Sequence, residues 1–244
     1  MNSTRRDFLI RGGLAVSSMV VPLLRGHAAA STPLPGGEIS GKIHFKGKYA
    51  KPAKVMFRGD DAYCRKFDLR KEDLLVGAQG GLCNVVVALE GIQGEPSGSA
   101  LQLSAMAEEQ CTFVPHVLSL TAGSKVVLYN RDPVLNTFHA IQVSTGRTLF
   151  NVGLPNKDQK IVRRIRQTGL IKMLCDVHPW ELAYLAVFSH GFHTVSDEKG
   201  SFVLKGVPGG NYTLTLWHET LGTQRHPIQI KTGEQLKMVL SYGL

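Results

Sequence analysis

Much that marks a common enzyme is missing from this chain. It has no His-Glu-x-x-His pair for a zinc hydrolase, no phosphate-binding glycine loop and no nucleophile elbow around the adjacent Ser189 and His190. An enzyme is therefore not expected. Past residue 30 there is no apolar run long enough to cross a bilayer. Sustained helical periodicity is nearly absent as well, which points away from a helical bundle. Acidic residues are outnumbered, 19 Asp and Glu against 28 Lys and Arg, for a net charge of +9.

The first thirty residues read as a targeting segment. Arg5 and Arg6 precede Phe8 and Leu9, a moderately apolar stretch runs to Leu24, and His-Ala-Ala-Ala-Ser offers cleavage near Ala30. Arg25, Gly12 and Gly13 favour a twin-arginine signal over residues 1–30, and an ordinary secretory signal leads to the same place, the periplasm. Removing four arginines and one aspartate with it takes the charge from +9 to +6. An exported basic protein does not meet the genome, so no nucleic-acid partner is expected; its charge suits an acidic protein or an anionic surface. The densest basic run holds Lys157, Lys160, Arg163, Arg164 and Arg166. It is either a solvated strand face or a docking patch for a redox protein.

What remains reads as all-β. Asn-Tyr-Thr-Leu-Thr-Leu-Trp at 211–217 alternates with period two, and the more continuously apolar runs at 125–130, 169–175 and 182–188 suit strands covered on both faces. Turn residues are dense at Gly36-Gly37, Gly80-Gly81, Asp132-Pro133 and Pro208-Gly209-Gly210. Residues 96–110 are mixed, with a short helical turn expected at Ala105–Gln110.

The chemistry concentrates in Leu-Ile-Lys-Met-Leu-Cys-Asp-Val-His-Pro-Trp, residues 170–180. Cys175 at the end of an apolar strand and His178 in the following loop can reach one metal ion, and His139 from an earlier strand would close a triangle of one thiolate and two imidazoles. The plain alternative is a buried thiol beside a turn histidine. Pro179 holds His178 in extended conformations and Trp180 offers an apolar wall against water.

Residues 111–140, Cys-Thr-Phe-Val-Pro-His through Asn-Thr-Phe-His-Ala, followed by Leu-Cys-Asp-Val-His-Pro-Trp, resemble the cupredoxins, the plastocyanin and azurin family, and more closely periplasmic cupredoxin-like proteins of methylamine utilisation. The resemblance covers roughly residues 100–189. It implies a Greek-key β-sandwich, one copper ion held by His139, Cys175 and His178, and electron transfer to a dehydrogenase or cytochrome from an exposed edge of His178 or His139. It also implies that Asn130 ties the two ligand loops together from behind the metal, the alternative being that Asn130 merely starts the turn at Asp132-Pro133. The chain departs from its relatives at Glu181, where they carry methionine. Glu181 either supplies a hard oxygen, turns away, or marks a site that has lost its metal. Similar proteins pair cysteines equivalent to Cys64 and Cys111, leaving Cys83 a buried thiol; Cys83 with Cys111 stays open, as do two disulfides, which would abolish the site.

The stretch 193–219 resembles the carboxypeptidase-regulatory-like, or transthyretin-like, sandwich through Asp197, Gly200, Phe202, Pro208, Gly209 and Tyr212–Leu214. Its opening strands correspond to residues 37–47 and 80–91. The expected organisation is therefore a cupredoxin unit, 97–189, inserted in or next to a sandwich made of 36–96 plus 190–244, with a simple tandem as the alternative. His116, His190, His193 and His218 are candidates for a second metal site at the junction, whereas His44 and His226 have no expected role. The functional expectation is a periplasmic single-copper electron carrier. The alternatives are a non-redox binding module with a vestigial site, or copper storage or delivery.

Overall fold

Alternation along the sequence becomes strand after strand. The computed structural model describes residues 36–57, 62–92 and 101–243, so the twin-arginine-like segment lies outside the described residues. In chain order the strands are β1 (Gly37–Phe45), β2 (Val86–Glu90), β3 (Leu103–Glu109), β4 (Thr112–Val114), β5 (Val117–Thr121), β6 (Lys125–Asn130), β7 (Asn136–Gln142) and β8 (Thr148–Leu154). They continue with β9 (Lys160–Arg164), β10 (Gly169–Leu174), β11 (Leu182–Phe188), β12 (His193–Val195), β13 (Ser201–Val207), β14 (Gly210–His218), β15 (Gly222–Ile230) and β16 (Gln235–Tyr242). Helix is confined, among the described residues, to 3-10 turns such as Cys64–Lys66. The chain is all-β.

Four sheets result, ordered β13-β1-β16, β12-β2-β14-β15, β4-β3-β6-β9 and β5-β11-β10-β7-β8. The first two draw their strands from residues 37–90 and 193–242, the last two only from residues 103–188. Each pair closes on its own core. Ile39, Ile43, Val87, Leu214 and Tyr242 fill one, and Met106, Phe113, Leu128, Phe138 and Met173 fill the other. A smaller cluster around Val86, Val117, Tyr184 and Ala186, backed by Trp217, joins them.

Strand β11 explains its unbroken apolar run: Ala183, Leu185 and Val187 enter one core while Tyr184 and Ala186 enter the joining cluster. Strands β6 and β10 are covered less completely, since every second residue of each is only partly buried or exposed. The helical turn expected at 105–110 is instead the end of β3. Met106 and Glu108 are fully buried there, and pairing with β6 on one side and β4 on the other satisfies the backbone that a helix would have satisfied internally.

Candidate metal centre

Strand β3 ends with Glu108 facing inward, and β10 runs directly into Cys175. The loop after Cys175 folds back through a backbone bond from the Glu181 N–H to the His178 carbonyl, 2.9 Å. This turn brings His178 and Glu181 under the strand ends. One donor atom from each of Glu108, Cys175, His178 and Glu181 lies within 4.8 Å of the others, and all four residues are buried.

The group is short of hydrogen bonds. Neither carboxylate oxygen of Glu108 or of Glu181 has a hydrogen-bond partner. His178 Nδ1 stands 3.0 Å from Glu181 Oε1, close enough for an ion pair but off the line that a hydrogen bond needs. Cys175 Sγ accepts the Thr137 backbone N–H at 3.4 Å and lies 3.7 Å from His178 Nδ1. Two buried carboxyls without donors are unfavourable in a metal-free protein, and a divalent ion is the partner that would satisfy them together with a thiolate and an imidazole. The donors therefore fit a metal ion.

Their protonation follows from the crowding. Burial foremost, then the neighbouring charges of Glu181 and Cys175, pushes the Glu108 carboxyl up to about 12. Burial works to lower His178, but Cys175 and Glu181 outweigh it and raise the imidazole to about 10. Both groups keep protons in the fold that they would lose in the unfolded chain. Their contribution is complete below the ordinary values, 4.5 and 6.5, and is lost as pH rises toward the folded ones. Between pH 7 and pH 9 the metal-free protein should lose about 3 kcal/mol of stability per pH unit, one proton for each of the two groups. Urea denaturation across that range checks this, and a flat profile would contradict it.

Glu108, not His139, completes the group. In β7 the residues Asn136, Phe138 and Ala140 face the core, so the period of two turns His139 to the opposite face. There its ring meets Asp176 Oδ1 at 2.8 Å and Thr148 Oγ1 at 2.9 Å. Asn130 is buried, but its amide donates to the Val134 and Leu154 carbonyls and its oxygen accepts from the Asp132 N–H and Asn136. It organises the loop before β7 rather than joining that loop to Cys175 and His178.

Cys64 and Cys111 form a disulfide, and Cys83 is a buried thiol. Cys64 Sγ lies 3.7 Å from His178 Nε2, and the Trp180 ring sits 5.2 Å from the His178 ring while its N–H donates to the Cys111 carbonyl. The outer edge of His178 is thereby closed, with the residue 4% exposed. Neither histidine offers the exposed metal-bound edge expected from the sequence. Beside Glu181 a cleft of about 670 Å³ opens, walled by Trp180, Leu174, Phe113 and His116.

The four candidate junction histidines do not build a second centre among the described residues. His116 bonds Glu219 through Nε2 while Nδ1 faces Glu72 at 3.5 Å, so the two carboxylates stand on opposite edges of one ring. His193 stacks on Phe188 and bonds Thr121, His190 accepts the Phe192 N–H, and His218 accepts the Thr220 N–H. Of the basic run, Lys157, Lys160, Arg164 and Arg166 are exposed at or beside the edge strand β9, and Arg163 lies over the Phe150 ring.

No protein-family model matches the chain, and no curated relative matches it. Among solved structures, a copper-containing nitrite reductase from Thermus scotoductus is 17% identical, covering 36% of this chain and 22% of that one, with a TM-score of 0.33. The chain thus spans about a fifth of that enzyme's length. A purple cupredoxin from Nitrosopumilus maritimus is 23% identical over 35% of this chain and 99% of its own, with a TM-score of 0.31. Amicyanin from Paracoccus versutus is 12% identical over 42% and 97%, with a TM-score of 0.32. Each match takes in less than half of this chain.

Proposed function

We propose that this protein is a mononuclear copper protein that carries electrons in the periplasm, and that residues 97–189 are a cupredoxin-like unit inserted in a transthyretin-like sandwich. The observation that carries the reading is the buried group of Glu108, Cys175, His178 and Glu181, whose carboxylate oxygens accept no hydrogen bond. Copper held there would supply one-electron redox chemistry. The chain's own contribution is selectivity and exclusion of water. Thiolate sulfur favours Cu(I), two carboxylates favour Cu(II), and the balance lowers the potential below that of a thiolate with two imidazoles. The Thr137 N–H holds Cys175 Sγ in place, and the disulfide and Trp180 keep bulk water from His178. The partner in this reading is an acidic redox protein docked through Lys157, Lys160, Arg163, Arg164 and Arg166.

A second reading, copper storage or delivery without redox cycling, draws on the same closure over His178 and on the carboxylate-rich donor set. Titrating the mature protein with Cu(II) separates them. The carrier reading expects one copper per chain, an intense visible thiolate-to-copper absorption and reversible bleaching by ascorbate and ferricyanide. Cys175→Ser should abolish the band, and His139→Ala should leave it unchanged. Tight binding without reversible cycling supports storage, and no binding at all removes both.

A further inference from the structure

The turn between β3 and β4 is built from residues that do not suit it. Gln110 (φ 54) and Cys111 (φ 59) both occupy the left-handed region, between paired Glu109 and Thr112. A two-residue hairpin of this kind, with positive φ at both central positions, ordinarily takes Asn-Gly, because a Cβ is disfavoured there. Something outside the turn must hold it.

That group is the Asp132 carboxylate, in a residue 1% exposed. Its Oδ1 accepts the Gln110 N–H at 2.8 Å and its Oδ2 accepts the Cys111 N–H at 2.8 Å. Oδ1 also accepts the Tyr63 hydroxyl at 3.0 Å, and the Asp132 N–H is anchored on Asn130 Oδ1 at 2.9 Å. One carboxylate thus grips the turn that follows Glu108 and the residue that precedes Cys64. Cys111 and Cys64 are joined, and Cys64 Sγ rests 3.7 Å from His178 Nε2.

We infer that Asp132 is a positioning residue for the metal centre: by holding the left-handed Gln110–Cys111 turn and Tyr63 together, it sets both the end of β3 that presents Glu108 and the disulfide cover on His178. This rests on the reading of the four-donor group as a metal site. Neutral asparagine would keep one acceptor oxygen but present an amide to the second N–H, so the grip should fail without loss of volume.

The test uses the mature protein carrying Asp132→Asn. In the metal-free state, the rate of Cys175 alkylation by iodoacetamide is mapped by peptide mass, with the buried thiol of Cys83, outside the centre, as internal control. In parallel, Cu(II) affinity is measured against a competing chelator. Cys175 labelling should rise about tenfold relative to Cys83, and Cu(II) binding should weaken about 10- to 100-fold. Adding Gln110→Gly, which removes the left-handed penalty at that position, should recover most of both losses. A lower melting temperature with Cys175 still protected and Cu(II) affinity unchanged would show Asp132 to be an ordinary fold residue and overturn the inference. If Asp132→Asn does not fold, Tyr63→Phe, which deletes one of the three bonds, should still raise relative Cys175 labelling about threefold. Unchanged labelling in that folded variant also overturns it. Wild-type protein that binds no Cu(II) would sink the metal reading, whereas the labelling arm tests the grip of Asp132 separately.

Discussion

Glu108→Leu is expected to make the metal-free protein more stable by about 3 kcal/mol at pH 7 while erasing its stabilisation by copper. The two halves have one cause. Burial and the adjacent Glu181 and Cys175 keep the Glu108 carboxyl protonated in the fold, whereas its ordinary value is 4.5. Holding a proton two and a half units above that value costs about 3 kcal/mol at roughly 1.4 kcal/mol per unit, and leucine of similar volume has nothing to protonate. Neither Glu108 oxygen receives a hydrogen bond, so the substitution leaves no donor orphaned. A bound dication reverses the account by needing the ionised carboxylate, and stabilises the native state in proportion to ligand concentration. Guanidinium denaturation with and without Cu(II) checks both halves. A variant less stable than wild type when metal-free, yet still stabilised by Cu(II), would place the ion elsewhere.

The legible part of this site was the part encoded locally. Cys175, His178 and Glu181 fall within seven residues, and the strand-then-turn pattern that leads into them is plain in the apolar run and Pro179. Donors from distant strands depend on facing, which a single sequence states only through period two. Counting from Phe138, a core residue, His139 falls on the outer face; counting from Met106, Glu108 falls on the inner one. The mixed composition of residues 96–110 hid the second count, because an Ala-Met-Ala-Glu-Glu run has ample helix propensity and only pairing with β6 and β4 makes it a strand. A glutamate on the core side of a strand beside a Cys-x-x-His loop was the available signal. The all-β class was legible because it rests on many strands at once, whereas the closure over His178 was not, since it arises from a disulfide spanning 47 residues and a tryptophan in another loop.

The pairing of Cys64 with Cys111 sets the second large effect. Replacing both by alanine should lower the stability of the metal-free protein by about 4 kcal/mol, the chain entropy restored by opening a loop of this length, and its melting temperature by about 10 °C. The separation of 47 residues fixes the entropic size. Both sulfurs are also buried among Val55, Phe57, Tyr63, Phe67 and Trp180, so the loss includes packing that alanine does not replace. The effect should reach the centre through contacts already in place: Cys64 against His178, and the Cys111 carbonyl receiving the Trp180 N–H. With the cover untied, Phe57 loses its firm edge-to-face seat on Trp180, centroids 5.1 Å apart, and water gains His178 Nε2. Cu(II) affinity per folded molecule should therefore fall along with stability. Thermal unfolding and chelator competition on the double-alanine variant measure the two losses, and a variant that melts lower yet binds copper as tightly as wild type would confine the disulfide to holding the fold.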